Sequence, residues 1–82
     1  EADINKALAL KPDNSILYVD RAIIFYDLKD YARAIADCNK ALELAPNYAF
    51  AYVYRSLCYR MLGETTKAEA DFAKARALGY SG

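Results

Sequence analysis

The hydrophobic residues of this chain recur at steps of three and four, the spacing of neighbours on one face of an α-helix. Residues 31–44 carry a single stripe, formed by Ala34, Ile35, Cys38, Ala41 and Leu42. Residues 15–28 carry two stripes, one of Tyr18, Ala22 and Phe25 and the other of Ile16, Val19, Ile23 and Tyr26. One stripe predicts a helix with one buried face. Two stripes predict a helix that is covered on both sides or offers its second side to a ligand.

The chain also repeats itself every 34 residues. Residues 1–12 align with residues 35–46 at Ala2, Asp3, Asn5, Lys6, Ala7, Leu8, Leu10 and Pro12, and Ala70, Asp71, Lys74, Ala75 and Leu78 continue the pattern. The period divides residues 1–82 of this single domain into a half repeat (1–14) and two whole repeats (15–48 and 49–82). The last repeat is expected to close the array, because Glu69 and Arg76 stand where the middle repeat has Ile35 and Leu42.

Proline, glycine and capping residues divide each whole repeat into two helices. Asn14 and Asp30 are candidate N-caps in the first whole repeat, and Asn47 and Thr66 are candidates in the second. Pro46 stops the second helix of the first whole repeat. The sequence therefore predicts five helices and an all-α fold.

Charge and composition exclude several classes of partner. Lys and Arg number 11, as do Asp and Glu, so the formal net charge is zero. A nucleic-acid-binding protein carries a basic excess to neutralise phosphates, which argues against DNA and RNA as ligands. No apolar run reaches the roughly 20 residues that span a bilayer, so no membrane insertion is expected. The compartment stays open, with the cytoplasm favoured. The start at Glu1 rather than Met favours an excised fragment or a processed product over a complete translation product.

No candidate catalytic or metal site emerges from the sequence. Cys38 and Cys58 lie among apolar residues, and the chain has no His and no Cys-x-x-Cys motif, which argues against a metal site. Their Cα atoms are expected to lie farther apart than the roughly 7 Å that a disulfide spans, so both thiols are predicted to be free. Asp20 and Asp27 are two helical turns apart, about 10.5 Å, with no other catalytic group nearby. They read as solvated acids, and neither an enzyme nor a cofactor is predicted.

Acidic and basic residues recur together on the second helix of each repeat. Asp3, Asp37 and Asp71 stand three residues before Lys6, Lys40 and Lys74. Side chains at this spacing are neighbours on a helix surface, so the pattern predicts exposed ion pairs worth a few tenths of a kcal/mol each.

The repeated residues resemble the tetratricopeptide repeat over the whole chain. They include a large residue, a small one and an aromatic one on the first helix (Tyr18, Ala22, Phe25; Tyr52, Ser56, Tyr59), two alanines on the second (Ala34, Ala41; Ala68, Ala75) and a closing proline (Pro12, Pro46). Arg21 and Arg55 depart from the pattern by replacing an aliphatic residue, and Tyr80 replaces the closing proline. The resemblance implies a right-handed superhelix of antiparallel helix pairs.

By that resemblance, the first helices line a concave, apolar and Tyr-rich groove. The implied groove residues are Ile16, Val19, Asp20, Ile23, Tyr26, Asp27, Phe50, Val53, Tyr54, Leu57, Arg60 and Met61. Chaperone-binding members of the family hold a C-terminal carboxylate with Lys, Asn and Arg at groove positions. Here those positions carry Val19, Asp20, Ile23, Phe50 and Tyr54. An Hsp70 or Hsp90 tail is therefore not the expected ligand.

The resemblance implies a protein-interaction scaffold whose groove binds a peptide or helix of a partner protein. Two alternatives stay open. The chain could be a module for self-association, as a weak homo-oligomer or part of a structural assembly, or a regulatory segment attached to a catalytic domain outside these residues. More repeats upstream would favour recruitment of a partner.

Overall fold

The computed structural model describes the backbone of residues 2–81 and the side chains of residues 4–81. Its five α-helices are α1 (Ala2–Leu10), α2 (Ser15–Asp27), α3 (Tyr31–Leu44), α4 (Ala49–Met61) and α5 (Thr65–Ala77). No strand occurs among the described residues, so the predicted all-α fold with five helices is confirmed. None of these helices is long and apolar enough to cross a membrane.

The two helices of the first whole repeat, α2 and α3, begin where the sequence predicts. The Asn14 side chain accepts a hydrogen bond of 3.0 Å from the backbone N–H of Ile16 at the start of α2. Asp30 accepts one of 3.3 Å from the backbone N–H of Arg33 at the start of α3. Each bond satisfies a donor that has no partner within its helix.

The predicted caps at Asn47 and Thr66 are wrong. The N-cap of α4 is Tyr48 and that of α5 is Glu64, and neither side chain makes a capping hydrogen bond. At the start of α4 the backbone N–H of Ala51 donates to the Tyr48 carbonyl at 3.1 Å, and at the start of α5 that of Ala68 donates to the Glu64 carbonyl at 3.0 Å.

The helices pack as antiparallel neighbours through small side chains. Within the whole repeats, α2 packs on α3 and α4 packs on α5. Between repeats, α1 packs on α2 and α3 packs on α4. The repeated small residues of the tetratricopeptide pattern are at most 1% exposed: Ala22, Ala34, Ala41, Ser56, Ala68 and Ala75. The Ser56 hydroxyl donates to the Ala68 carbonyl at 2.9 Å, which satisfies this buried polar group.

The two cysteines lie in the core. Cys38 and Cys58 are fully buried and belong to one cluster with Ala22 and Ala34. Neither forms a disulfide, as predicted.

The expectation of surface Asp–Lys pairs is wrong at Asp37 and Asp71, which are only 5% and 7% exposed. Asp37 accepts two hydrogen bonds of 2.8 Å from Arg21 of α2. Lys40 instead pairs with Glu43, at 3.7 Å. The carboxylates point toward the neighbouring first helix, where an arginine replaces the usual aliphatic residue. The side chain of Asp3, the third predicted acid, lies outside the described side chains.

Candidate functional site

The curvature of the array places the first helices of the repeats on its inner side. α2 and α4 contact each other, whereas no contact joins α1 to α3 or α3 to α5 within the described chain. Helices that touch on one side and separate on the other bend the array toward the touching side. We call the inner face made by α2 and α4 the α2–α4 groove. All twelve residues predicted to line a groove lie on these two helices.

The exposure of these twelve side chains divides them into three groups. Six are exposed (Ile16, Asp20, Asp27, Phe50, Arg60 and Met61), four are half-buried (Ile23, Tyr26, Tyr54 and Leu57), and two are buried (Val19 and Val53). Ten of the twelve side chains are therefore at least partly accessible in the folded chain.

The placement of Val19 and Val53 at an accessible surface is wrong. They are only 2% and 7% exposed. Val19 packs in the core with Ala41 and Ala51, at the junction between the two whole repeats. Both valines support the groove from beneath, where a partner cannot reach them.

The tyrosines in the middle of the groove pack on one another. The Tyr26 ring lies 6.4 Å from that of Tyr54, edge to face, and 5.7 Å from that of Tyr31. Tyr54 also packs against the cluster that contains the two cysteines and against the cluster of Val19, Ala41 and Ala51. These half-buried rings form the floor of the groove and join the repeats, while keeping part of their surface accessible.

A second aromatic group lies at the N-terminal end of α4. The Phe50 ring is 6.2 Å from Tyr48 and 6.1 Å from Tyr80, whose ring is in turn 5.9 Å from Phe72. Tyr48 and Tyr80 are not among the twelve residues predicted to line the groove. The signal that could have found Tyr80 is its repeat position, because it stands where Pro46 stands one repeat earlier.

An open apolar cavity of about 450 Å³ lies beside the first turn of α2. It is lined by Ser15, Ile16, Ala45, Pro46, Asn47 and Tyr48. Ile16 itself is 56% exposed. We call this space the Ile16 cavity.

The groove carries two acids and one base. Among the described residues, Asp20, Asp27 and Arg60 form no ion pair, although all three are exposed. The pKa of the Tyr48 phenol is raised, first by burial and second by the negative charge of Asp20.

The described side chains include no group of three or more His, Cys, Asp or Glu residues that could hold a metal ion. Asp20 and Asp27 lie on one helix without a basic or nucleophilic partner of the kind that catalysis uses. The α2–α4 groove offers apolar surface and isolated charges.

Comparison with known proteins places this geometry in a family. Models of the tetratricopeptide repeat match residues 15–48 and 38–70, so together they cover most of the chain. Among curated protein sequences, none matches.

Similar solved structures include the first TPR of Spaghetti (RPAP3) bound to the HSP90 peptide SRMEEVD. It has 30% identity and a TM-score of 0.90, and the match covers 93% of this chain and 60% of that one. YrrB, a TPR protein with an unusual peptide-binding site, has 28% identity and a TM-score of 0.92, with 95% and 40% covered. The complex of the TPR2B domain of yeast Sti1 with pHsp70 has 29% identity and a TM-score of 0.88, with 92% and 60% covered.

The chain spans less than two thirds of the length of each of these structures. Its five helices superpose on them over more than nine tenths of its own length. The family models and the similar solved structures both identify the tetratricopeptide repeat. This chain belongs to the tetratricopeptide-repeat family.

Proposed function

We propose that the chain is a protein-interaction scaffold that binds a segment of a partner protein along the α2–α4 groove. The observation that carries the proposal is the exposure of large apolar side chains on the inner face of a thin helical array. Ile16, Phe50 and Met61 are 56%, 52% and 55% exposed. Where such exposed apolar side chains form a patch, they mark an interaction site.

The similar structures support this direction. Two of them hold a chaperone peptide or tail, and a third is a TPR protein with a peptide-binding site. TPR repeats are typically non-catalytic interaction modules, and no catalytic group accompanies the groove acids. Binding of a peptide or helix is the activity that the groove surface supports best.

The partner that we propose differs from the acidic chaperone peptide of the Spaghetti structure. The peptide SRMEEVD carries two glutamates and an aspartate, whereas the groove presents the acids Asp20 and Asp27. Like charges oppose binding. Arg60 is the one exposed cation among the twelve predicted groove residues. An Hsp70 or Hsp90 tail is therefore not the ligand that we propose for these repeats.

The test is a selection of peptides from a phage-displayed library of random 12-residue sequences, followed by calorimetry on the enriched peptides. Ile16→Asp and Phe50→Asp place charges on exposed positions and should weaken binding more than 10-fold, or about 1.4 kcal/mol. Lys40→Ala and Glu43→Ala change exposed residues on the outer helix α3 and serve as matched controls. The reverse ranking would place the site on the outer face.

One observation favours self-association as a second candidate function. Ile4 and Ala7 of α1 are half-buried, whereas Cys38 and Ala41, their equivalents on α3, are fully buried. Apolar surface is therefore left uncovered on α1, and a second copy of the chain could bury it.

A further inference from the structure

The Ile16 cavity lies at a junction that the fold repeats. Ser15, Ile16 and Pro46 line it, and the equivalent residues one repeat later are Ala49, Phe50 and Tyr80. At the later junction the chain supplies an aromatic ring, since Tyr80 packs edge to face on Phe50 at 6.1 Å. At the earlier junction the equivalent residue is the smaller Pro46. Ile16 is 56% exposed there and Phe50 is 52% exposed at the later junction, where an open cavity of about 440 Å³ also lies.

The later junction shows which kind of group this wall accepts. The Tyr80 ring is held between Phe50 and Phe72, in the edge-to-face geometry that aromatic rings prefer. A ring or another large apolar side chain offered from outside would find a similar apolar wall in Ile16, Pro46 and Tyr48. The cavity volume of about 450 Å³ is ample for one such side chain.

A charge stands beside the cavity. Asp20 follows Ile16 by four residues, so both side chains lie on the same face of α2, with Cβ atoms about 6 Å apart. Its carboxylate is exposed and forms no ion pair with any described residue. The pKa of Tyr48, which also lines the cavity, is raised by burial and by the negative charge of Asp20. An apolar cavity beside an exposed carboxylate is complementary to an apolar side chain beside a cation.

We infer that the Ile16 cavity is the specificity pocket of the groove, and that it takes a large apolar, preferably aromatic, side chain of the partner next to a lysine or arginine that pairs with Asp20. The inference rests on the proposed function, because it names the chemistry of the segment that the groove binds.

The separation of about 6 Å on α2 sets the spacing expected in the partner. Side chains on one face of an extended segment are two residues apart, or roughly 7 Å, and those on one face of a helix are three or four residues apart. The basic residue should therefore lie two to four positions from the apolar one.

The first test is the composition of peptides selected on this chain from the random 12-residue phage library. Enriched sequences should carry Phe, Tyr, Trp or Leu with Lys or Arg two to four positions away. Enrichment of acidic residues, or of apolar residues without a neighbouring base, would overturn the inference. The peptide SRMEEVD serves as a probe of opposite charge and should bind more weakly than the selected peptides.

The second test is a double-mutant cycle between the protein and one selected synthetic peptide. Asp20→Asn should weaken binding of the Lys-containing peptide about 3-fold, the range of an exposed ion pair, and leave the Lys→Gln peptide unchanged. Raised salt should reduce the difference. Glu69→Gln on the exposed face of α5 makes the same change of charge away from the cavity and should leave both affinities unchanged.

The outcomes separate this inference from the proposed function. If selected peptides respond to Ile16→Asp but show no coupling to Asp20, the charge preference is wrong while groove binding stands. If no sequence is enriched, or binding ignores every change in the groove, the proposed function fails as well. If the chain self-associates and Ile16→Asp abolishes this, the pocket takes a second copy and the inference is overturned.

Discussion

The guanidinium group of Arg55 donates hydrogen bonds from Nε and Nη2 to the two carboxylate oxygens of Asp71, each 2.7 Å long. Its Nη1 donates to the side-chain oxygen of Asn39, also at 2.7 Å. Arg21 makes the same three bonds one repeat earlier, to Asp37 and Asn5. Each arginine thus ties its own helix to the helix before it and the helix after it, and the pattern recurs with the repeat.

Removal of the carboxylate should destabilise the chain. The side chains of Arg55 and Asp71 are 21% and 9% exposed, so Asp71→Ala leaves a largely buried charge without its partner. We expect the free energy of unfolding to fall by about 2–3 kcal/mol, as for hydrogen bonds to charged groups. Urea denaturation followed by circular dichroism measures the change.

The double variant Arg55→Leu/Asp71→Ala should recover part of this loss, because it restores an aliphatic residue and removes the unpaired charge. Glu69→Ala, an exposed change on the same helix, is the matched control. Equal stability of Asp71→Ala and Glu69→Ala would show that the arginine network contributes nothing measurable.

The turns that follow α2 and α4 allow a matched pair of substitutions. Lys29 (φ 64°) and Gly63 (φ 80°) occupy equivalent positions and both have left-handed backbone conformations. A side chain costs about 1 kcal/mol in this region, whereas glycine adopts it without strain. Lys29→Gly should therefore raise stability, and Gly63→Lys should lower it by a similar amount. Thermal denaturation of the two variants provides the check, and a decrease in both would contradict this account.

The repeat register predicted most of the fold because tetratricopeptide packing depends on residues at fixed positions. Small residues such as Ala22 and Ala75 fall where helices approach, and their burial follows from the sequence pattern. The Arg55–Asp71 pair was missed because its members are 16 residues apart and on different helices. Because Asp71 and Lys74 stand at i, i+3 spacing, the sequence pattern suggested a local ion pair between them instead. The recurrence of Arg, Asp and Asn with the same 34-residue period was the signal that could have revealed the network.

The candidate groove was harder to read from sequence. A stripe on a helix shows that a face is apolar but not whether a neighbour covers it, so Val19 and Ile16 look alike in the pattern. The structure separates them, since Val19 is 2% exposed and Ile16 is 56% exposed. The Ile16 cavity depends on the loop that carries Pro46 and Tyr48, which comes close to α2 only after folding.

Burial should protect both thiols from alkylation. It raises the pKa of Cys38 from 9.0 to about 12 and that of Cys58 to about 11. Because the thiolate is the reactive form, native protein at pH 8 should react with iodoacetamide at least about 100-fold more slowly than the urea-unfolded chain. Mass spectrometry of the labelled protein gives the rates. Rapid labelling of either cysteine without unfolding would contradict the buried placement.

The same shifts predict a loss of stability at alkaline pH. Below pH 9 the thiols keep their protons in both the folded and the unfolded chain, so this contribution to stability is fully present. Above pH 9 the unfolded chain releases protons that the folded chain retains, which favours unfolding as the pH rises toward about 11 or 12. The urea midpoint should fall more steeply between pH 9 and 11 in the natural chain than in Cys38→Ala, which lacks one of these groups.

The final prediction concerns α1, which has the least support of the five helices. Within the described residues α1 packs only on α2, whereas α3 packs on both α2 and α4. Leu8 is 6% exposed and holds α1 in place, but Ile4 and Ala7 are half-buried. In repeat arrays the stability of each unit comes largely from the interfaces with its neighbours. The 82-residue chain should therefore fray at α1 or cover it by weak self-association.

Hydrogen exchange and sedimentation together test this prediction. The amides of α1 should exchange faster than those of α3, because fewer contacts must break to expose them. Any dimer should be weak, since association costs offset most of the gain from burying a small apolar face. Ile4→Lys should abolish that dimer, while Lys40→Ala on the exposed surface of α3 should leave it unchanged. A strict monomer across micromolar to millimolar concentrations, with α1 as well protected as α3, would show that α2 alone is enough to hold the first helix.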